Sequence, residues 1–295
     1  MFNLTDINVI KSIMARHGFN FSKGLGQNFL INPSVCPRIA DMGNAKEGYG
    51  IIEIGTGFGV LTQELAQRAD KVVAVEIDKR LIPVLDETLA EFDNVKIIND
   101  DVMNVDLKKL INDEFSGMKV AVCANLPYYI TSPVIMYLLE SGISIESLTV
   151  MVQKEAGERL CAEVGTRQAG AITVAVNYYG NAQMLFNVGR GSFMPSPNVD
   201  SCVIKIDTDK KYMLEKSDEE FFFKTVKAAF SQRRKTLANT ISSCMNIPKD
   251  DIYIILEKMG LDKSVRAEKL DMKSFIEFSL MLNQSKSDIT TENTL

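Results

Sequence analysis

Within the 295 residues, Asn125-Leu126-Pro127-Tyr128 is the stretch whose residue types and spacing are most specific for chemistry. It follows the strand-like apolar run Val120–Ala124, so it sits where a strand ends and a loop can meet a ligand. The Asn125 side-chain oxygen and the Leu126 backbone carbonyl are two acceptors one residue apart, able to take both N–H bonds of an amine. An exocyclic amine on a purine delocalises its lone pair into the ring and is a poor nucleophile at neutral pH. Two acceptors concentrate negative charge on the nitrogen and orient it for in-line attack on an electrophilic methyl group. Pro127 lacks an N–H and stiffens the turn that aims the carbonyl. Tyr128 offers a face on which a base drawn out of its stack can rest. The plainer reading is a loop with packing tyrosines, and the three strand ends that precede it argue against that.

The first of these strands, Ile51–Ile54, runs into Gly55-Thr56-Gly57-Phe58-Gly59 and then a helical pattern over Val60–Ala69. Glycines let the backbone turn tightly against a ligand at a helix N-terminus that carries partial positive charge. The spacing Gly-x-Gly-x-Gly is not the dinucleotide Gly-x-Gly-x-x-Gly, and no Lys-Ser or Lys-Thr follows as in a phosphate loop. The second strand, Val72–Val75, ends in Glu76, where an α/β nucleotide site hydrogen-bonds ribose hydroxyls, with Ile77 beside it. The third, Val95–Ile98, ends in Asn99-Asp100-Asp101-Val102. A carboxylate there can accept the exocyclic amine of an adenine. Asp100 and Asp101 are both candidates, and Asp101 is favoured because Val102 follows it to cover the ring. A nicotinamide-dependent oxidoreductase would share the glycine turn and the Glu76 position. The fourth strand end decides for a sulfonium methyl donor, with the glycine loop of Gly55 and Gly57, Glu76 beside Ile77, and Asp101 beside Val102 as the strand ends expected to hold it.

The elements that must position these groups alternate regularly from 51 to 152, as apolar strands and amphipathic helices. This predicts an α/β domain with a mostly parallel sheet covered by helices. Ala169–Gly180 stays ambiguous, since Ile172, Val174 and Val176 alternate like a strand while the apolar content suits a buried helix. Ser201–Ile206 reads as the last strand. Helical patterns follow at about 218–231, 235–243, 249–259 and 271–283, with a polar, frayed tail from Gln284. The plan is residues 1–207 as the α/β domain and 208–295 as a smaller all-helical domain.

Composition agrees with such chemistry. With 46% apolar and 24% charged residues the chain can bury a core. Its one histidine, His17, suits a helix C-terminal turn, and its five cysteines form no Cys-x-x-Cys pair, so neither a metal site nor a disulfide framework is expected. No apolar run approaches the ~18 residues of a membrane span. The expectation is a reduced, cytoplasmic chain with no metal and no membrane partner.

Further motifs carry a resemblance over most of residues 20–280. Lys23-Gly24-Leu25-Gly26-Gln27-Asn28-Phe29-Leu30, Asn125-Leu126-Pro127-Tyr128, Phe193-Met194-Pro195-Ser196-Pro197-Asn198-Val199-Asp200-Ser201, Phe230-Ser231-Gln232-Arg233-Arg234-Lys235-Thr236-Leu237 and Val265-Arg266-Ala267-Glu268-Lys269-Leu270 are its main segments. In these the sequence resembles the small-subunit (16S) ribosomal RNA adenine N6,N6-dimethyltransferases. The resemblance implies a Rossmann-like methyltransferase domain with a seven-stranded sheet, and an N-terminal segment, 1–48, that covers the cofactor. It implies that Gln27, Asn28 and Leu30 touch S-adenosylmethionine, alongside Gly55, Glu76, Asp101 and Asn125 at the matching positions, and that Phe193 forms the second face of an adenine clamp opposite Tyr128. It also implies the product, four methyl groups on the N6 atoms of two adjacent adenosines near the 3′ end of 16S ribosomal RNA, and a role in subunit assembly. Two other readings stand beside it: a macrolide-resistance-type enzyme acting on 23S RNA, which shares the Asn-Leu-Pro-Tyr and Phe-x-Pro-x-Pro features, and an assembly checkpoint factor that binds immature subunits.

The net charge of −5 conceals a basic stretch. Residues 210–235 carry eight Lys/Arg against four Asp/Glu. Arg233, Arg234 and Lys235, three adjacent cations that cannot share one helix face, are the expected contacts to RNA phosphates.

Overall fold

The computed structural model describes residues 1–20, 27–209 and 212–292. In chain order the helices are α1 (Ile7–Arg16), α2 (Val35–Met42), α3 (Val60–Ala66), α4 (Ile82–Thr88), α5 (Leu107–Glu114), α6 (Thr131–Glu140), α7 (Lys154–Leu160), α8 (Ala171–Tyr179), α9 (Lys216–Ala229), α10 (Leu237–Met245), α11 (Lys249–Lys258) and α12 (Met272–Glu292). The strands are β1 (Phe29–Leu30), β2 (Tyr49–Ile54), β3 (Lys71–Glu76), β4 (Val95–Asn99), β5 (Lys119–Asn125), β6 (Ser147–Gln153), β7 (Asn181–Val188), β8 (Phe193–Met194) and β9 (Ser201–Asp207).

Seven strands form one sheet in the order β4-β3-β2-β5-β6-β9-β7. The first five are parallel, and β9 pairs antiparallel with both β6 and β7, so within this sheet β9 alone runs opposite to the rest. The central strand β2 is buried at every residue, which is why its sequence shows no in–out alternation. Parallel order brings the carboxyl ends of β2, β3, β4 and β5 to one edge, where ligands of open α/β sheets bind. Two apolar clusters clothe this sheet, one containing Ile39, Ile51, Leu65 and Val72, the other Ile10, Ile13, Phe58 and Leu85.

The chain divides into two compact units, and here the sequence plan is corrected. One unit is 1–157 with 181–209, and the other is 158–180 with 210–295, so 1–207 is not one contiguous domain. The inserted segment carries α8, whose Tyr178 and Tyr179 hydroxyls both donate to the Glu219 carboxylate of α9, at 3.0 and 2.9 Å. Their rings pack on Phe222 and Phe223. The strand-or-helix ambiguity had a cause: Thr173, Val174, Ala175 and Val176 are all buried, so no exposed face marks the helical period. The strand β7 was not expected. It is an edge strand, largely exposed and interrupted between Met184 and Phe186, and that irregularity breaks the apolar–polar alternation by which a strand is read. The polar tail remains helical, with α12 continuing to Glu292. His17 caps α1, as expected, and its Nε2 lies 2.6 Å from Glu87.

Candidate active site

The glycine loop after β2 takes its shape from backbone angles that only glycine adopts without strain. Gly55 and Gly57 have φ of 77° and 57°. At Gly57 a Cβ would lie 2.9 Å from the Phe29 ring. That ring belongs to β1, which pairs antiparallel with β8 so that Leu30 faces Phe193. The short ribbon thus sets Asn28-Phe29-Leu30 beside the loop that carries Phe193, and Ile31 N–H donates to the Ser192 carbonyl at 2.9 Å.

Glu76, at the end of β3, is buried. It is therefore not the solvated carboxylate of a polar turn. It accepts the Thr56 hydroxyl and the Gly57 N–H at 3.0 and 3.1 Å. Two residues on, Asp78 accepts from Gln27 Nε2 at 2.8 Å, and the Arg80 guanidinium beside it holds its carboxyl below the usual range. After β4, Asp100 is exposed while Asp101 is half-buried and caps the turn at Val102, accepting the Met103 N–H at 3.0 Å.

Beyond β5, neither the Asn125 carboxamide nor the Leu126 carbonyl has a hydrogen-bond partner among the described residues. Tyr128 is half-buried, with its hydroxyl 2.8 Å from Ser201 Oγ. Burial pushes that phenol up.

These groups line one cavity of about 260 Å³. Gln27, Asn28, Leu30, Gly55, Gly57, Glu76, Ile77, Asp101, Val102, Asn125, Leu126, Pro127, Tyr128 and Phe193 all contribute to its wall, as does Asp100. Lys23 to Gly26 of the N-terminal motif lie outside the described residues.

Glu53, a residue to which the strand-end pattern assigns no role, also lines the cavity. It is fully buried, and neither carboxylate oxygen has a hydrogen-bond partner among the described residues. Burial pushes its carboxyl up to about 8, with the nearby Thr62 hydroxyl opposing and the Glu76 charge adding to the rise. A buried acid without partners is costly unless a ligand completes it. The sequence signal was available: an acid inside an apolar strand, two residues ahead of the first loop glycine.

Arg233, Arg234 and Lys235 belong to the helical unit and line no part of the cavity. They form an exposed turn ahead of α10 rather than its first residues, because Thr236 caps that helix. Arg233 Nη2 donates to the Arg167 carbonyl at 3.5 Å, which adds a further exposed cation from the inserted segment. Among the described residues no carboxylate pairs with these four side chains. Also among the described residues, no cluster could hold a metal ion and no helix is long and apolar enough to cross a membrane.

Comparison with known proteins identifies the family. Residues 18–284 match the family described as ribosomal RNA adenine dimethylase. The ribosomal RNA small subunit methyltransferase A of Bacillus cereus is 45% identical over 283 residues, covering 95% of this chain and 97% of the relative. That of Bacillus mycoides is equally similar. A dimethyladenosine transferase from Plasmodium falciparum superposes with a TM-score of 0.72 at 27% identity, covering 87% of this chain and 98% of the other. The 23S rRNA methyltransferase ErmE shares the fold, with a TM-score of 0.65 at 24% identity over 87% of this chain and all of its own. The chain belongs to the ribosomal RNA adenine dimethylase family, whose methyl donor is S-adenosylmethionine.

Proposed function

We propose that this protein transfers four methyl groups to the N6 atoms of two adjacent adenosines near the 3′ end of 16S ribosomal RNA, within the small ribosomal subunit or its precursor in the cytoplasm. The observation that carries the reading is the pair of unused acceptors, Asn125 Oδ1 and Leu126 O, at the cavity wall beside Tyr128. S-adenosylmethionine, when bound, supplies a methyl group made electrophilic by its sulfonium.

The residues of the cavity fit that donor. Glu53 meets a cationic ammonium, Glu76 the ribose hydroxyls, and Asp101 with Ile77 and Val102 the adenine. Gln27, Asn28 and Leu30 close over the methionine portion, with Gly55 and Gly57 keeping the floor low. Asn125 and Leu126 accept both N–H bonds of the target amine in the first transfer and the one that remains in the second, which orients the nitrogen lone pair; each transfer would form an N–CH3 bond as the donor's S–CH3 bond breaks, leaving S-adenosylhomocysteine and releasing one amine proton to solvent. Tyr128 and Phe193 hold the base between them, and Phe193 is itself fixed by pairing with Leu30. Arg233, Arg234 and Lys235 contact RNA phosphates. Single-stranded loop nucleotides suit such a site because their bases are already free to leave the stack.

The test is mass spectrometry of ribosomal RNA from cells with and without the gene for this chain, with an Asn125→Ala strain alongside. The expected result is dimethyladenosine at two neighbouring 16S positions only when the intact chain is present. Methylation confined to 23S RNA would overturn the assignment of substrate. A checkpoint role without need of chemistry would show as unchanged subunit binding and growth in the Asn125→Ala strain.

A further inference from the structure

The turn that carries Asn125 and Leu126 continues into a second aromatic residue, and the two tyrosines are placed in opposite ways. Tyr128 is half-buried and hydrogen-bonded to Ser201. Tyr129 is 61% exposed and its hydroxyl has no partner among the described residues, yet it lines the same cavity.

The backbone explains the difference. Residues Tyr128–Ile130 form a single 3-10 turn, closed by the Ile130 N–H on the Pro127 carbonyl at 3.1 Å. Successive side chains of such a turn diverge by about 120°. With Tyr128 directed inward, Tyr129 is carried to the mouth. Its backbone is held on both sides, by Pro127 before it and by the buried Thr131 that opens α6 after it. The ring is therefore a flat apolar surface on a stiff support, open to solvent, at the entrance to a site that takes a purine.

We propose that Tyr129 is a positioning residue, whose ring stacks on the nucleotide next to the adenosine being methylated. Drawing one of two adjacent purines into the cavity breaks the stack between them and leaves the neighbour with a bare face. An aromatic ring at the mouth replaces that lost partner and holds the strand in register. It is also sequence-tolerant, because every base has a face to offer. The same platform serves both targets, whichever of the two adenosines is inside. This inference rests on the cavity being the methyl-transfer site.

The test uses the full chain with unmethylated small subunits as substrate and compares Tyr129→Leu, Tyr129→Phe and Asn125→Ala. Tyr129→Leu should raise KM for subunits about tenfold, more than it lowers kcat, with the Kd for S-adenosylmethionine unchanged. Tyr129→Phe should restore KM, since the ring and not the hydroxyl is used. A wild-type KM in Tyr129→Leu, or a loss of cofactor affinity in that variant, overturns the proposal. Asn125→Ala separates the two levels: activity retained there removes the site reading itself, whereas activity lost there with Tyr129→Leu unaffected removes only the platform.

Discussion

The Glu76 carboxylate closes on the loop of Gly57, with Oε2 accepting the glycine N–H at 3.1 Å and Oε1 accepting the Asp78 N–H at 2.9 Å. The acid at the end of β3 thus ties the glycine loop to the next turn before any ligand is bound, and Oε1 keeps acceptor capacity for a hydroxyl.

A neutral amide cannot do the same work. In Glu76→Gln one side-chain atom becomes a donor and must face an N–H or hydroxyl that now donates to oxygen. A buried donor left unpaired costs about 1–3 kcal/mol. The expected outcome is at least a tenfold rise in the Kd for S-adenosylmethionine by titration calorimetry, with subunit affinity measured without cofactor unchanged. A Kd within twofold of wild type would show that the loop holds itself.

Gly57→Ala tests the other partner of this contact. Its φ of 57° strains a residue with a Cβ, by about 1–2 kcal/mol, and the new carbon meets the Phe29 ring at 2.9 Å. The variant should melt several degrees lower and bind S-adenosylmethionine more weakly. Phe29→Leu in the same chain should recover part of the loss by relieving the contact, but not the part due to φ. Full recovery would mean that the backbone angle carries no cost there.

Much of this site was legible because each group sits at a strand end, and strand ends are marked by a switch from apolar to polar residues. Glu76, Asp101 and Asn125 stand out that way, and parallel order brings them to the wall of one cavity. What was not legible was what depends on surroundings. Glu53 stands within an apolar strand, and only burial on both faces reveals that its carboxylate has no partner. The 158–180 segment was assigned to the wrong unit because its attachment is made by two tyrosines to Glu219, about forty residues away in the chain. Arg233 to Lys235 were identified by charge, but Thr236 as the cap moved them from a helix to a turn.

The buried acid has a pH signature. Glu53 is pushed up to about 8 when folded, against an ordinary carboxyl near 4.5. Between those values the folded protein holds a proton that the unfolded chain has released, so this group makes stability fall as pH rises. The slope is at most about 1.4 kcal/mol per pH unit. Cys36 and Cys123, whose thiols burial pushes upward, stay protonated in that window. Glu53→Gln removes the titration. Urea unfolding at intervals from pH 5 to 9 should show the wild type losing stability relative to Glu53→Gln up to about pH 8 and then levelling. Saturating S-adenosylmethionine should flatten the difference, since an ammonium against the carboxylate keeps it ionised. Parallel curves without cofactor would mean that Glu53 is already charged in the fold.

The basic turn is the remaining question of charge. Arg233, Arg234, Lys235 and Arg167 are exposed and lack acidic partners among the described residues, so no ion pair must be broken before they meet phosphate. Each phosphate contact releases counterions and steepens the dependence of affinity on salt, by somewhat under one unit of log–log slope per contact. Arg233→Glu with Arg234→Glu should weaken subunit binding across all salt concentrations and reduce the slope by about two. Arg167→Glu alone should reduce it by about one, because the Arg233 bond to the Arg167 carbonyl places both on one surface of the helical unit. S-adenosylmethionine affinity should not move in either variant, as none of these residues lines the cavity. An unchanged slope in the double variant would take the turn out of the RNA interface, and the excess of cations between 210 and 235 would then need its partners in Lys216, Lys224 and Lys227 along α9.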